Sequence, residues 1–422
     1  MSYMSGSNLI ESSIPIRRNT HVMRQHSSAY INGIGTAVPA YSSTQQEAAE
    51  FMADVLQLDE RDSRRLMALY RHTRIDRRHT VLADYVRPRE EFTFYTNSPG
   101  MEPFPTVGQR MGLYRQEAVP LALKAIHDCF ASYPDFDPQT ITHLITVSCT
   151  GLYAPGPDIE LIEALGLPTT TQRLAINFMG CYGAFNGLKM ADSIIRADAR
   201  AKVLVVCVEL CTIHFQKKTE TDHLLSNALF ADGSAAVIVE SQPAVRHTGP
   251  SQAFRLRSFY CDLLPEGREA MAWHVSDFGF EMTLTSAVPT FIQQGIGQLM
   301  ERLLTQCELT LDDIGQYALH PGGRRILEVI EQQLGITAHD DRHAYEVLRQ
   351  NGNMSSATVL FVLKEIWNEL ASGEADVDPE RPNILSCAFG PGLTLESMVL
   401  EAVLAEPEYA TLATSSASAR FL

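Results

Sequence analysis

The chain states one pattern twice. A strand ending in a small polar group, then a helix, then a glycine-rich turn opening another helix, occurs around Cys149 and Cys181 and again around His320 and Asn353. Between the copies, 171 residues separate Cys149 from His320 and 172 separate Cys181 from Asn353. Two similar halves bring equivalent helix starts face to face, so Cys181, His320 and Asn353 are expected to converge on one point.

The 422 residues suffice for two such halves, and a net charge of −16 argues against a nucleic-acid surface. The longest apolar runs, such as Val203 to Val208, suit buried strands and are too short to span a bilayer. The N-terminus lacks the pattern of a secretory signal. Eight cysteines sit in apolar segments without C-x-x-C pairs, which predicts reduced, buried thiols and a cytoplasmic setting rather than disulfides or a metal site.

Four regions are expected: a disordered arm (1–27), a first half (28–243) carrying Cys181, a second half (244–405) carrying His320 and Asn353, and a flexible tail (406–422). Thr44 and Glu47 form a capping box that opens a helix running to Leu58. An arginine-rich helix follows, then a long one from Thr106 to Ser132, and β-α-β units lead into Cys149, Cys181, His320 and Asn353. Alternating strands and helices in two copies imply an α/β fold of the thiolase type: two pseudo-equivalent αβαβα halves with mixed sheets around buried central helices.

Cys181 lies in G-C-Y-G at a helix start, where backbone amides and the helix dipole favour a thiolate. His320 ends a strand before P-G-G, at the sheet edge where α/β active sites gather, and Asn353 precedes a helix. Cys, His and Asn in that order also describe papain-like proteases, with 139 residues from Cys181 to His320. Those enzymes carry their nucleophile in C-G-S-C-W near the mature N-terminus, unlike this mid-chain cysteine.

These residues, with A-L-F-A-D-G-S-A-A (228–236), A-L-H-P-G-G (318–323), N-G-N-M-S-S-A (351–357) and F-G-P-G-L-T-L-E (389–396), resemble the chalcone synthase family, in a bacterial-like form of the type III polyketide synthases. The resemblance runs from about Tyr30 to Leu404. It implies a homodimeric, cofactor-free, metal-free enzyme acting on acyl-CoA and malonyl-CoA. Cys181 matches the nucleophile that takes the starter acyl group. His320 and Asn353 match the pair that binds the malonyl thioester carbonyl, His320 also pairing with a Cys181 thiolate. Phe230 matches an aromatic gatekeeper at the cavity entrance.

Around the cavity the chain departs from the plant pattern. Cys149 and Thr150 replace a Thr-Ser pair, His214 replaces Thr, Trp273 a cavity-floor Gly, Met282 a Phe, and Ala154 a Met that reaches across the dimer. The tryptophan is expected to block a phenylpropanoid pocket and favour an aliphatic starter. Glu209, Ser355 and Cys149 match positions of a hydrogen-bond network that influences ring closure. The basic island of Arg61, Arg64, Arg65, Arg71, Arg74, Arg77 and Arg78 suits CoA phosphates, with Arg65 on a family phosphate position and Arg324 and Arg325 as further candidates. The product expected is a pyrone, resorcinol or phloroglucinol type. Alternatives are a ketoacyl synthase III-like condensation on an acyl-carrier protein and, more remotely, a cysteine amidohydrolase.

Overall fold

The structure, a computed structural model, describes residues 27–244, 251–372 and 380–405. The expected N-terminal arm, except residue 27, and the expected tail lie outside the described residues, as does most of the junction between the halves.

In the first half come β1 (Ala29–Ala37), β2 (Tyr41–Thr44), α1 (Gln45–Val55), α2 (Glu60–His72), β3 (Arg77–Thr80), α3 (Val107–Ala131), β4 (His143–Ser148), α4 (Pro157–Leu165), β5 (Gln172–Asn177), α5 (Gly183–Ala197), β6 (Val203–Leu210), α6 (Thr221–Leu229) and β7 (Asp232–Glu240). The second has β8 (Ser251–Leu263), β9 (Met271–Ser276), β10 (Gly279–Leu284), α7 (Val288–Cys307), β11 (Ile314–Leu319), α8 (Arg324–Leu334), α9 (Arg342–Asn351), α10 (Thr358–Ser372), β12 (Asn383–Gly390) and β13 (Thr394–Ala405). The capping box forms as expected, Glu47 Oε2 accepting from Thr44 N at 2.7 Å, but α1 stops at Val55, three residues short of Leu58.

Both halves share one strand plan. Antiparallel β1–β7–β6 with parallel β4 is matched by antiparallel β8–β13–β12 with parallel β11. The halves meet where Tyr30 of β1 pairs antiparallel with Arg255 of β8, so the two expected sheets run on as one nine-stranded sheet, β11-β12-β13-β8-β1-β7-β6-β4-β5. Helix α3 packs on β1, β6 and β7, and α7 packs on β8 and β13. Between the halves lie α5 and α10. Thr358 to Leu363 of α10 are all buried, as a helix enclosed on every side requires.

The duplication is incomplete. β5 in the first half leads to Cys181, whereas α9 in the second leads to Asn353. β5 is the sheet's edge and is mostly exposed, against the expectation of a strand covered on both faces, because an edge strand has a neighbour on one side only. Of the eight free cysteines six are buried; Cys261 is exposed and Cys307 half-buried, so expected burial fails at those two positions. Among the described residues no helix is long and apolar enough to cross a membrane.

Asp341 opens α9 with both carboxylate oxygens buried and lacking hydrogen-bond partners. Burial first, then Glu331 and Asp340, push its pKa well above the usual range. A carboxyl raised in the folded state adds its full stability below about pH 4 and loses it as pH climbs toward the folded pKa. Asp341→Asn, which cannot ionise, should match the native chain at pH 4 and exceed it at pH 8, by about 1.4 kcal/mol per pH unit spent between the two pKa values. Urea unfolding at both pH values measures this, and a difference that does not grow with pH refutes it.

Candidate active site

The carboxyl ends of β4, β5, β11 and β12 point toward one interior space. Phe178, left-handed at φ 61°, turns the chain after β5, and Gly180 follows at φ 77°. A Cβ on Gly180 would stand 2.4 Å from Pro391 Cδ, so glycine alone lets the nucleophile turn lie against Pro391, just past the end of β12. Cys181 then sits in a short turn of helix running into α5, as expected.

Asn353 is fixed by backbone and side chain. Its N–H donates to Leu229 O and its carbonyl accepts from Ala231 N, both at 2.9 Å, which pairs it with Phe230. Its Oδ1 accepts from Ser355 N at 2.8 Å. Because a backbone N–H can only donate, this orients the amide and leaves Nδ2 facing Cys181 Sγ at 3.9 Å. His320 follows β11, is 1 % exposed, and has no hydrogen-bond partner at either ring nitrogen.

Cys181, His320, Asn353, Phe230, Cys149, Thr150, Trp273, Met282 and Ser355 line one cavity. Burial pushes the Cys181 thiol up to about 12, opposed by hydrogen bonds from Ser355 and Asn353, and lowers His320 to about 3. No hydrogen bond joins His320 to Cys181 in this structure, so the expected pairing has no direct contact here. A lone charge is costly in so dry a space, and only a proton passed from sulfur to imidazole leaves the cavity's net charge unchanged.

Glu209 stands behind the cavity wall. It accepts from Thr150 Oγ1 at 2.8 Å, from Cys149 N at 2.9 Å and from the Ser356 hydroxyl. The expected network is thus corrected: Thr150, Ser356 and, at 3.5 Å, Ser148 supply the hydroxyls, while Ser355, left-handed at φ 50°, turns toward the cavity and Cys181. Burial raises the Glu209 pKa.

Trp273 and Met282 face each other across the β9–β10 hairpin, and the indole N–H donates to Cys149 O at 2.7 Å. Beyond Trp273 lies a second cavity that is lined by His214 and shares Cys211, Phe230, Trp273 and Met282 with the first. His214 accepts from Phe280 N at 3.0 Å, contacts Thr150 O at 2.6 Å, and stacks on Phe280 at 4.2 Å. Since Nδ1 accepts, the neutral ring carries its proton on Nε2. Burial lowers its pKa to about 3. His214 therefore forms a partition behind Trp273 and does not line the Cys181 cavity.

A wide cleft adjoins the first cavity through Leu284, Gly322 and Ile326. His72, Arg324 and Arg325 line it, and both arginines also pair with Glu328. Arg65 pairs with Asp62 at 3.0 Å and does not line the cleft, and Arg78 faces the interior. The basic island is thus not one surface. Ser356 escaped the sequence reading because nothing in S-S tells which hydroxyl turns inward. A charge run likewise does not reveal which arginine lies beneath its helix.

Comparison with known proteins adds a lineage. The family profile of chalcone and stilbene synthases matches in two parts, the N-terminal domain over residues 16–243 and the C-terminal domain over residues 255–404. The chain is 30% identical over 376 residues to the alpha-pyrone synthesis polyketide synthase-like Pks18 of Mycobacterium tuberculosis, covering 89% of this chain and 91% of that one. Among solved structures it resembles the C-terminal type III polyketide synthase domain of Steely1 from Dictyostelium, at a TM-score of 0.79 and 27% identity over 89% of this chain and 99% of that one. It also resembles PKS-I of the brown alga Ectocarpus siliculosus, at a TM-score of 0.82 and 27% identity over 90% of this chain and 100% of that one.

Proposed function

The chain belongs to the chalcone and stilbene synthase family, as a type III polyketide synthase, and from that premise we propose that it loads an aliphatic acyl-CoA on Cys181 and extends it with malonyl-CoA. The observation that carries this reading is the convergence of Cys181, His320, Asn353 and Phe230 on one buried cavity beside a wide cleft.

The Cys181 thiol gives its proton to His320 as sulfur attacks the starter thioester, and CoA leaves with that proton. Malonyl-CoA then enters, its thioester carbonyl facing His320 and Asn353 Nδ2. Loss of CO₂ leaves an enolate, and two fixed donors stabilise its oxygen as charge develops. The enolate carbon attacks the acyl carbon on Cys181, the thiolate departs, and a β-ketoacyl-CoA two carbons longer results. Phe230 presents an apolar ring that keeps water from the carbanion. The Cys181 thiolate takes up a proton from solvent, and return of this product to Cys181 repeats the cycle. The relative's name, carrying alpha-pyrone synthesis, supports lactone closure here.

CoA phosphates are assigned to Arg325 and Arg324 at the cleft, the rim nearest the cavity. A cytoplasmic location and a homodimer are part of the same proposal, the homodimer supported by the exposed β5 edge with Leu174, Met179 and Leu152 solvent-facing. The test is incubation of the purified chain with hexanoyl-CoA and isotopic malonyl-CoA, without a carrier protein. A mass increase of one hexanoyl group on Cys181, followed by labelled multi-extended products, is expected; extension only with a carrier protein overturns the reading.

Trp273 sets the starter class in this proposal, because it closes the first cavity against the second. Trp273→Gly should join them and raise kcat/KM for a bulky aromatic acyl-CoA about tenfold or more relative to hexanoyl-CoA, the ratio that 1.4 kcal/mol of relieved crowding gives. Paired starter assays measure it. An unchanged ratio removes Trp273 from the specificity account.

A further inference from the structure

The arginine that breaks away from the basic island stands at a junction. Arg78 is 4 % exposed and lies over the carboxyl end of α6. A helix end leaves its last carbonyls without intrahelical partners. Here Asn227 O accepts from Arg78 Nη1 at 2.7 Å, Ala228 O accepts from Gln45 Nε2 at 2.7 Å, and Leu229 O accepts from Asn353 N at 2.9 Å. Arg78 Nη1 also donates to Phe230 O at 2.7 Å, and its Nε donates to Gln45 Oε1 at 2.9 Å. One cation, favourably placed at the negative end of a helix, thus holds Asn227 O directly and orients Gln45, the donor to Ala228 O.

The same side chain reaches the other partner of the bridge. Gly352 precedes Asn353 at φ 69°, and a Cβ there would stand 2.9 Å from Arg78 Cγ, so the arginine stem fills that space. Two residues past Phe230, Asp232 is held by Val81 N and Thr212 N, each at 2.8 Å, which closes the segment from the other side.

We propose that Arg78 is a positioning residue: from outside the cavity it fixes the Phe230 ring and the Asn353 amide relative to each other. The proposal rests on the reading of those two groups as gatekeeper and enolate donor. Arg78 borders the second cavity and does not line the Cys181 cavity, so its removal acts on extension and leaves loading at Cys181 largely intact.

The test uses the full chain and its Arg78→Met, Arg78→Lys and Gln45→Leu variants. Hydrogen exchange is followed at Ala231 N and Asn353 N, hexanoyl loading by intact mass, and CO₂ release from malonyl-CoA by isotope. In Arg78→Met, exchange at these two amides should rise about tenfold or more while other strands stay protected. Loading should hold within about threefold, while kcat for CO₂ release falls about 10- to 100-fold at little-changed KM, the size expected when a reacting group shifts by an ångström. Arg78→Lys should recover part of the loss, since an ammonium can still reach a carbonyl.

Unchanged exchange at the two amides overturns the proposal. So does loosening of the whole chain with loading and CO₂ release falling in equal proportion, because that marks a general fold stabiliser. If the native chain neither loads hexanoyl-CoA nor releases CO₂, the polyketide reading fails, and the exchange measurements alone decide Arg78. Should Arg78→Met not fold, Gln45→Leu removes one link of the cap and keeps the cation. Faster exchange near Ala228 then supports the proposal, and no change there overturns it.

Discussion

Cys181→Ala abolishes polyketide formation and leaves CO₂ release from malonyl-CoA measurable. The expected loss in product is at least about 10⁴-fold, the scale on which removal of a covalent nucleophile is felt, since no other group takes the acyl chain. Decarboxylation survives because His320 and Asn353 remain. Cys149 lines the same cavity, yet its sulfur already accepts from Gly180 N at 2.9 Å and burial raises its pKa well above the ordinary thiol value. Product analysis with isotopic malonyl-CoA, alongside trapped CO₂, checks both halves of the expectation. Polyketide formation that continues in the alanine variant removes Cys181 as nucleophile.

His320→Gln separates two duties. Glutamine keeps a donor for the malonyl carbonyl but cannot accept the thiol proton. Loading of hexanoyl-CoA on Cys181 should fall about 10²- to 10⁴-fold, the usual contribution of general-base transfer. CO₂ release should fall less, by about tenfold, since one of two oxyanion donors is weakened and the other is held by Ser355 N. Single-turnover loading by intact mass and steady-state CO₂ release measure the split. Equal losses in both steps contradict the division of labour. The pH profile carries the same logic: with the imidazole held at about 3 and the thiol at about 12, neither group titrates alone between pH 5 and 9. Loading should therefore show no inflection there from either group. A sharp rise near pH 6 would instead reveal a charged pair in the resting enzyme.

Much of the fold was legible because it rests on local chemistry. The capping box at Thr44 and Glu47 and the limits of α3 at Thr106 and Ser132 depend on residues within one helical turn. The repeat exposed the convergence at the site, since equivalent strand ends of a duplicated sheet must meet. What depends on register or a single dihedral angle stayed hidden. Trp273 facing Met282 requires the pairing of β9 with β10, and the exchange of roles between Ser355 and Ser356 follows from one left-handed residue. Arg78 looked like its six neighbours in charge, and only β3 directs it beneath α6. The dryness around Cys181 and His320, both buried, was hidden as well, because it comes from distant segments closing over the cavity.

The unequal copying of the two halves bears on stoichiometry. One end of the sheet stops at β5, bare to solvent, while the opposite end, β11, is almost wholly buried. In the homodimer proposed above, pairing through β5 would use up the single free rung, so association would halt at a pair. The helix that took the place of a tenth strand would thus act as a stop.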